Sequence, residues 1–221
     1  MVEGLFPKAN MIFVRFVFDS NHIFQLKNMY NKVIFGIFSS LPFVPLKDAE
    51  EAASLFVPRI VKRKDILLEK GDVANELFFV VKGILRNYIV SRSGKDITTN
   101  FATENTFITD IGSFAREVPS IHGIQAIKDG LILSVSKKNL DFIYNNLPAG
   151  DRVGRIMTEM QLERLAQKHL LLRCFSAEER FDNFTSFYPN ILDQIPSYMV
   201  ASFLGISRTT LHRLHSRHLK K

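Results

Sequence analysis

The segment SYMVASFLGISRTTLHRL, residues 197–214, decides how the C-terminal part of this chain folds. Its pattern predicts two short helices joined by a sharp turn at Gly205, where glycine adopts a left-handed backbone at little cost. Ala201 is small enough for the two helices to cross closely, and Ser207 is a favourable N-cap for the second helix. The larger apolar residues have the spacing that such a unit buries: Val200, Leu204, Ile206, Leu211 and Leu214.

The outer face of the second predicted helix is basic, and no acidic residue occurs from Ile195 to the end of the sequence. A helix that docks its apolar side and exposes a basic side suits the major groove of DNA. An ordinary helical hairpin with a solvated basic face is the alternative. The residues expected to contact DNA are Ser207, Arg208, Thr209, Thr210, His212, Arg213 and Arg217, with Lys220 and Lys221 adding salt-dependent affinity.

Composition narrows the class of protein. A chain of 221 residues fits one sensor-sized domain and a smaller one, and a net charge of +7 favours a polyanionic partner. The single cysteine, Cys174, excludes an internal disulfide and a cysteine-ligated iron–sulfur cluster built from one chain, and it favours a reducing cytoplasm. Its leucine-rich surroundings predict that Cys174 fills a small apolar space. No segment reads as a transmembrane span, because the apolar run 33–46 is short and contains two prolines.

The middle of the chain predicts a β-sandwich or barrel. Short runs rich in β-branched and aromatic residues follow Pro58 and are separated by Gly71, Gly83 and Gly94. Two further strands are predicted over 123–127 and 131–135, with Asp129-Gly130 as the turn between them. The segment KKNLDFIYNNLP then predicts a helix that ends at Pro148.

A long proline-free segment, residues 151–175, predicts one helix with more than one apolar stripe. Such a helix is a candidate dimer seam; packing only on its own β-domain is the alternative. Ser176 followed by Glu179 predicts a capping box that begins the next helix.

The first 28 residues show no clear helical or strand period, and a regular pattern starts at Met29. We hypothesise that native translation starts at Met29. The predicted organisation is an extension (1–28), a sensor domain (29–148), a dimerisation helix (149–175) and a helix-turn-helix domain (176–221).

Four stretches carry a resemblance to a known family: ILLEKGDVANELFFVVKG (66–83), SGKDI (93–97), FITDIGSF (107–114) and ASFLGISRTTLHRL (201–214). Their order and spacing resemble the bacterial cAMP receptor protein / fumarate-nitrate regulator (Crp/Fnr) family. The resemblance implies an α+β fold with an N-terminal cyclic-nucleotide-binding-type β-roll (a double-stranded jelly roll), a long dimerisation helix and a C-terminal, winged-helix-like helix-turn-helix whose wing is truncated. It implies a cytoplasmic, homodimeric transcription regulator rather than an enzyme, with double-stranded DNA and RNA polymerase as partners.

The segment that would hold an effector departs from the family pattern. Cyclic-nucleotide binders of the family carry an acid for the ribose and, ten residues later, an arginine followed by a hydroxyl residue for the cyclic phosphate. Here Asp110 matches the acid, while Ser120 and Ile121 replace the other two, and Arg116 is the nearest cation in sequence. Burying a phosphate without a cationic partner is costly, so cAMP is not the expected effector, and no cofactor is expected. Asp110 has an alternative role as a turn or cap residue.

An effector of unknown identity would meet the candidate pocket residues Asp110, Ile111, Gly112, Ser113, Phe114, Arg116, Ser120 and Ile121. The DNA end departs from the family as well. Thr209 replaces a frequent glutamate and His212 replaces a small residue, which predicts a different operator.

Two other classes of function were weighed. A cupin-type β-barrel enzyme needs several histidines and a carboxylate around a metal, and only His122 lies in the β-region. An interaction module with a vestigial helix-turn-helix does not explain the basic, acid-free C-terminus. His212, His215 and His218 recur every three residues, and we interpret them as a solvated basic surface rather than a metal site.

Overall fold

The computed structural model describes residues 20–189 and 191–219, with side chains from residue 30 onward. Helices at both ends flank a central set of strands, which is the mixed α+β fold that the sequence predicts. The helices are α1 (Ser20–Ser39), α2 (Leu46–Ser54), α3 (Ile111–Arg116), α4 (Lys137–Asn146), α5 (Gly150–Cys174), α6 (Ala177–Phe187), α7 (Ser197–Leu204) and α8 (Arg208–His218). The strands are β1 (Val57–Val61), β2 (Ile66–Leu68), β3 (Glu76–Lys82), β4 (Leu85–Val90), β5 (Asp96–Ala102), β6 (Phe107–Ile108), β7 (Gly123–Ala126) and β8 (Gly130–Ser136).

The N-terminal helix begins earlier than the sequence pattern suggests. Helix α1 starts at Ser20, so the expected boundary at Met29 falls inside a helix. Residues 20–28 are helical although their sequence shows no clear period. No proline interrupts the sequence between Ser20 and Ser39, so nothing stops the helix from continuing across Met29. Residues 1–19 lie outside the described part of the chain, and the translation start at Met29 stays a prediction.

Two four-stranded antiparallel sheets form the β-roll, in the orders β1-β8-β3-β6 and β2-β7-β4-β5. Every other residue of the central strands faces the space between the sheets, since successive side chains of a strand alternate. Apolar side chains from both sheets fill that space in one cluster, which includes Phe78, Val80, Leu85, Ile124 and Ile132.

The predicted turn at Asp129-Gly130 does not form a hairpin. Strand β7 pairs with β2 and β4, whereas β8 pairs with β1 and β3, so the chain crosses from one sheet to the other at this point. The chain also crosses between the sheets at Gly83, which connects β3 to β4 and has a φ of +106°. The two crossings touch, because a Cβ on Gly83 would lie 3.0 Å from the Gly130 Cα. Glycine is required there for close approach of two backbones rather than for a two-residue turn.

The outer face of the β1-β8-β3-β6 sheet is covered by helices. Ile34 and Ile37 of α1, Ala49 of α2, Ile143 of α4 and Val153 of α5 all pack into one buried cluster with that sheet. Only the first turns of α5 take part, and from Leu162 onward the helix is largely exposed. Cys174, at the end of α5, is exposed as well, so the prediction that it fills an apolar space is wrong. The leucines near it suggested a buried segment, but this end of the helix extends beyond the core.

Candidate functional site

The two C-terminal helices α7 and α8 meet at the predicted turn. Gly205 adopts the left-handed conformation, with a φ of +64° and a ψ of 37°, and ends α7. The Ile206 N–H then donates to the Ala201 carbonyl at 3.0 Å, which closes the turn. Buried side chains lock the two helices to each other and to α6: Phe181, Phe184, Val200, Leu204, Leu211 and Leu214. The apolar positions predicted from spacing are therefore the buried ones, apart from the half-buried Ile206.

The predicted contact residues lie on the free side of α8. Arg208, Thr209, His212, Arg213 and Arg217 are all exposed. Within the described residues none of these arginines forms an ion pair with a carboxylate. The Arg208 guanidinium lies 5.3 Å from the centre of the Tyr198 ring. The structure thus gives α8 a cationic face that no acid of residues 30–189 or 191–219 neutralises through an ion pair.

Ser207 and Thr210 have a structural role in the same helix. The Ser207 hydroxyl accepts the Thr210 N–H at 3.0 Å and lies 2.8 Å from the Thr210 hydroxyl, which caps the first turn of α8. Such a cap typically stabilises a helix by about 1 kcal/mol.

The histidines of α8 do not form one common surface. The rings of His215 and His218 pack against the buried Phe181 ring, with centroids 6.4 and 5.8 Å apart. His212 is exposed and belongs to the cationic face. The interpretation of all three as one solvated surface is therefore wrong for His215, whose helix face points to α6. In the described part of the chain, no group of three or more His, Cys, Asp or Glu side chains is placed to hold a metal ion.

The C-terminal helices dock on strand β5 of the same chain. Phe101 lies between Phe184, Tyr188 and Phe203, with ring centroids 5.1 to 6.2 Å apart. The Thr98 N–H donates to the Ser202 hydroxyl at 3.1 Å, and this bond joins β5 directly to α7. Because aromatic side chains and a backbone hydrogen bond both hold the contact, the position of α8 relative to the β-roll is determined.

Lys168 of α5 completes this contact. Its ammonium donates to the Thr99 carbonyl and lies 4.5 Å from the centre of the Phe203 ring. Burial lowers the pKa of Lys168 to about 8, because desolvation penalises the charged form. Nothing in the sequence distinguishes this lysine from the other cations of α5, so sequence reasoning did not find it.

A second buried cation lies in β4. The Arg86 guanidinium is 2% exposed and pairs with both oxygens of Asp96 at 2.6 and 2.7 Å. It also donates to the Gln125 side chain and to the Thr98 hydroxyl at 3.1 Å. This network, too, was missed, although a charged residue that directly follows the apolar Ile84 and Leu85, with an acid across a glycine hairpin, is a usable signal for it.

The predicted effector segment is closed on itself. The Asp110 carboxylate accepts the backbone N–H groups of Gly112 and Ser113, at 3.1 and 3.4 Å, and thereby caps α3. It also accepts the Ser120 hydroxyl at 2.5 Å, and its other neighbour is the His122 Nδ1 at 3.2 Å. Burial raises the pKa of Asp110, but the hydrogen bonds from Ser120, His122 and Ser113 outweigh burial, and the net result is a lowered pKa. Asp110 is therefore a carboxylate, and both of its oxygens already have hydrogen-bond partners within the protein.

The remaining pocket candidates are not gathered around a common space. Ile111 and Ile121 are exposed, and Phe114 packs partly into the core below Lys137. Arg116 is exposed, and its Nε donates to the Gly112 carbonyl one turn earlier in α3, so it does not replace the missing arginine. Ser113 bonds to the β2–β3 loop through Ala74 instead of facing a ligand.

These features define a class of fold: a β-roll of two antiparallel sheets, a long helix, and two docked C-terminal helices joined by a tight turn. Comparison with known proteins agrees. Residues 58–146 match the family described as cyclic nucleotide-binding domain. No curated protein matches the chain.

Solved structures extend the likeness beyond the β-roll. FixK2 from Bradyrhizobium japonicum superposes with a TM-score of 0.65 at 18% identity, covering 75% of this chain and 85% of that one. CLP, the c-di-GMP responsive global regulator from Xanthomonas campestris, gives 0.61 at 13% identity, covering 80% and 92%. A Eubacterium rectale regulator assigned to the crp/fnr family gives 0.59 at 18% identity, covering 77% and 82%. The resemblance inferred from the sequence is confirmed at the level of the fold: residues 58–146 match the cyclic nucleotide-binding domain family, and the chain has the fold of the Crp/Fnr structures.

The Xanthomonas campestris and Eubacterium rectale proteins are both described as regulators. Within the described residues, no helix is both long enough and apolar enough to cross a membrane.

Proposed function

We propose that this protein is a sequence-specific DNA-binding transcription regulator that acts as a homodimer on a near-palindromic site. The observation that carries the proposal is the exposed face of α8, where Arg208, His212 and Arg213 have no acidic partner in the described chain. A docked helix with such a face matches the geometry by which helix-turn-helix proteins enter the major groove.

Each exposed side chain has a distinct chemical role in the proposed complex. Arg213 and Arg208 offer planar guanidinium groups that can pair with O6 and N7 of guanine or with phosphates. Thr209 offers a methyl group to thymine and no acceptor comparable to a glutamate. His212 donates to a phosphate or a base, and Arg217 adds salt-dependent affinity. Lys220 and Lys221, given the same role from the sequence, lie outside the described residues.

The exposed side of α5 supports the homodimer. Leu162 and Leu165 expose 65% and 64% of their surface, and Leu172 follows Leu165 by seven residues, the spacing of a coiled-coil seam. Pairing α5 with its copy would bury these leucines and place two α8 helices on one side of the dimer. Their separation must then match one turn of DNA, about 34 Å.

The closed effector segment argues against cAMP. A cyclic phosphate placed beside Asp110 would meet a carboxylate whose pKa is lowered, and it would find the hydroxyl of Ser120 already donated. The only cation within the segment, Arg116, is exposed. We therefore propose an effector other than cAMP, or none, and RNA polymerase as a partner of the DNA-bound dimer.

Selection of binding sites from random duplex DNA tests the proposal. The purified full chain is used at moderate salt, without ligand and then with cAMP. An enriched palindrome with half-site centres about 10 base pairs apart is expected in both conditions. Arg213→Ala serves as the matched variant and should lose the enrichment while staying folded. If the protein enriches no sequence, or only with cAMP, the proposed function or its effector assignment is wrong.

A further inference from the structure

The β4–β5 hairpin lies beside the start of α8, although more than a hundred residues separate them in sequence. A groove of about 480 Å³ runs between the two, with Lys95 and Ile97 on one wall and Gly205, Ile206 and Ser207 on the other. Ser207 is the cap of the proposed recognition helix. The hairpin therefore borders the same edge of the molecule as the first turn of α8.

The hairpin tip is cationic, and hydrogen bonds across its turn define its backbone. Arg92 and Lys95 are exposed, and neither forms an ion pair with any carboxylate of the described residues. The Ser91 N–H donates to the Lys95 carbonyl at 2.9 Å, and the Lys95 N–H donates back to the Ser91 hydroxyl at 3.0 Å. Gly94 closes the turn with a φ of +77°. The two cations are thus held on a defined backbone, and no carboxylate in the described part of the chain pairs with them.

The nearest acid on the hairpin does not neutralise them. Asp96 gives both carboxylate oxygens to the buried Arg86 guanidinium. None of the residues that line the groove is acidic. The hairpin consequently adds net positive charge to the surface beside the first turn of α8.

The hairpin keeps this position because β5 is bonded to α7. Thr98, two residues beyond Asp96, donates to Ser202, and Phe101 on the same strand packs against Phe203. A duplex that fills its major groove with α8 must carry one phosphate backbone past the N-terminal edge of that helix.

From these observations we infer that Arg92 and Lys95 of the β4–β5 hairpin bind DNA phosphates beside the recognition helix, so that the sensor domain contributes directly to the nucleic-acid interface. The inference rests on the proposed DNA-binding function. Contacts of this kind position a protein on the duplex and add affinity without reading bases.

The test compares three forms of the full chain: wild type, Arg92→Ala/Lys95→Ala, and the matched control Lys47→Ala/Lys70→Ala. Both double variants lose two exposed positive charges per protomer; Lys47 lies in α2, and Lys70 follows β2 at the sheet edge opposite β5. Binding to the selected palindrome and to a random duplex is measured from about 50 to about 200 mM salt. Affinity that comes from phosphate contacts falls steeply over this range.

The hairpin variant should bind both duplexes at least about tenfold more weakly at 0.1 M salt, with an unchanged ratio between them. The slope of log K against log salt should fall by about one for each lost cation. Ethylation interference should show fewer essential phosphates at the edge of each half-site. The control variant should match the wild type, and thermal melting should show that all three forms fold.

Two failures are distinguishable. If the wild type binds no duplex, the proposed function fails and the inference falls with it. If the wild type binds and the hairpin variant behaves like the control in affinity and salt slope, the proposed function stands and the inference is overturned.

Discussion

The Ser120 hydroxyl donates a hydrogen bond of 2.5 Å to the buried Asp110 carboxylate, within the segment that aligns with a nucleotide-binding loop. The backbone reinforces this closure, because Gly71 donates to the Ser120 carbonyl and Ser120 donates to the Asp72 carbonyl, each at 2.8 Å. Ser120 stands where the family resemblance implies a ligand-binding arginine, and in this structure it belongs to the internal support of the loop.

Asp110→Asn should destabilise the β-roll at neutral pH and much less at acid pH. The pKa of Asp110 is lowered in the folded protein, so its contribution is present above the ordinary carboxyl pKa and is lost as the pH falls through the folded value. The variant should unfold with about 1–3 kcal/mol less free energy at pH 6, because buried donors lose a charged acceptor. Urea unfolding of both proteins at pH 6 and at successively lower pH values measures the difference, which should shrink as Asp110 is protonated in the folded wild type. The exposed Asp193→Asn is the control, and an equal loss in both variants would contradict the prediction.

Lys168→Met should change the pH dependence of stability at alkaline pH. The folded protein lowers the pKa of Lys168 from 10.5 to about 8, so between these values the unfolded chain binds more protons. The wild type should therefore gain stability as the pH rises through this window. Lys168→Met should lack that gain, whereas the exposed Lys138→Met should keep it. Denaturant titrations at several pH values test this, and parallel curves for all three proteins would show that Lys168 is not desolvated.

Leu162→Glu/Leu165→Glu should convert the protein to a monomer. Both leucines lie on the exposed side of α5, and charges in a paired helix seam would be buried without partners. Sedimentation equilibrium should report twice the 25.3 kDa chain mass for the wild type and a single chain for the variant. Leu46→Glu changes an equally exposed leucine of α2 and should remain dimeric. A wild type that sediments as a monomer would refute the seam.

Arg213→Ala should weaken binding to the selected palindrome by about 1–3 kcal/mol and binding to random duplex much less, if the guanidinium reads a base. Arg217→Ala, farther along the same exposed face, should weaken both by similar factors and lower the salt slope by about one. Fluorescence anisotropy on the two duplexes separates these behaviours. Equal weakening by Arg213→Ala on both duplexes would assign it to a phosphate.

Local signals in the sequence were sufficient for the C-terminal helices. Gly205, Ser207 and the capping box of Ser176 and Glu179 act through bonds between residues a few positions apart, and each forms as predicted. The capping box is complete, since the Ser176 N–H donates to Glu179 at 2.7 Å and the Glu179 N–H donates back at 3.3 Å. The order of the strands as a jelly roll could be inferred only through resemblance to a family.

Long-range relations escaped the sequence. A hairpin at Asp129-Gly130 was predicted from local turn chemistry, but the partners of β7 and β8 are chosen by the packing of two whole sheets. Likewise, a lysine on a predicted helix gives no sign of burial, and Lys168 became buried only because β5 and α7 enclose it.

The sequence by itself thus determined the two C-terminal helices, the turn at Gly205 and the cationic face of α8, because these depend on residue identity and short spacing. Only the tertiary structure decided that Asp110 and Ser120 satisfy each other and that the β4–β5 hairpin borders α8. Those relations depend on which distant segments meet when the chain buries its apolar surface. Because the hydrophobic effect has no preferred direction, no local pattern of residues specifies these partners.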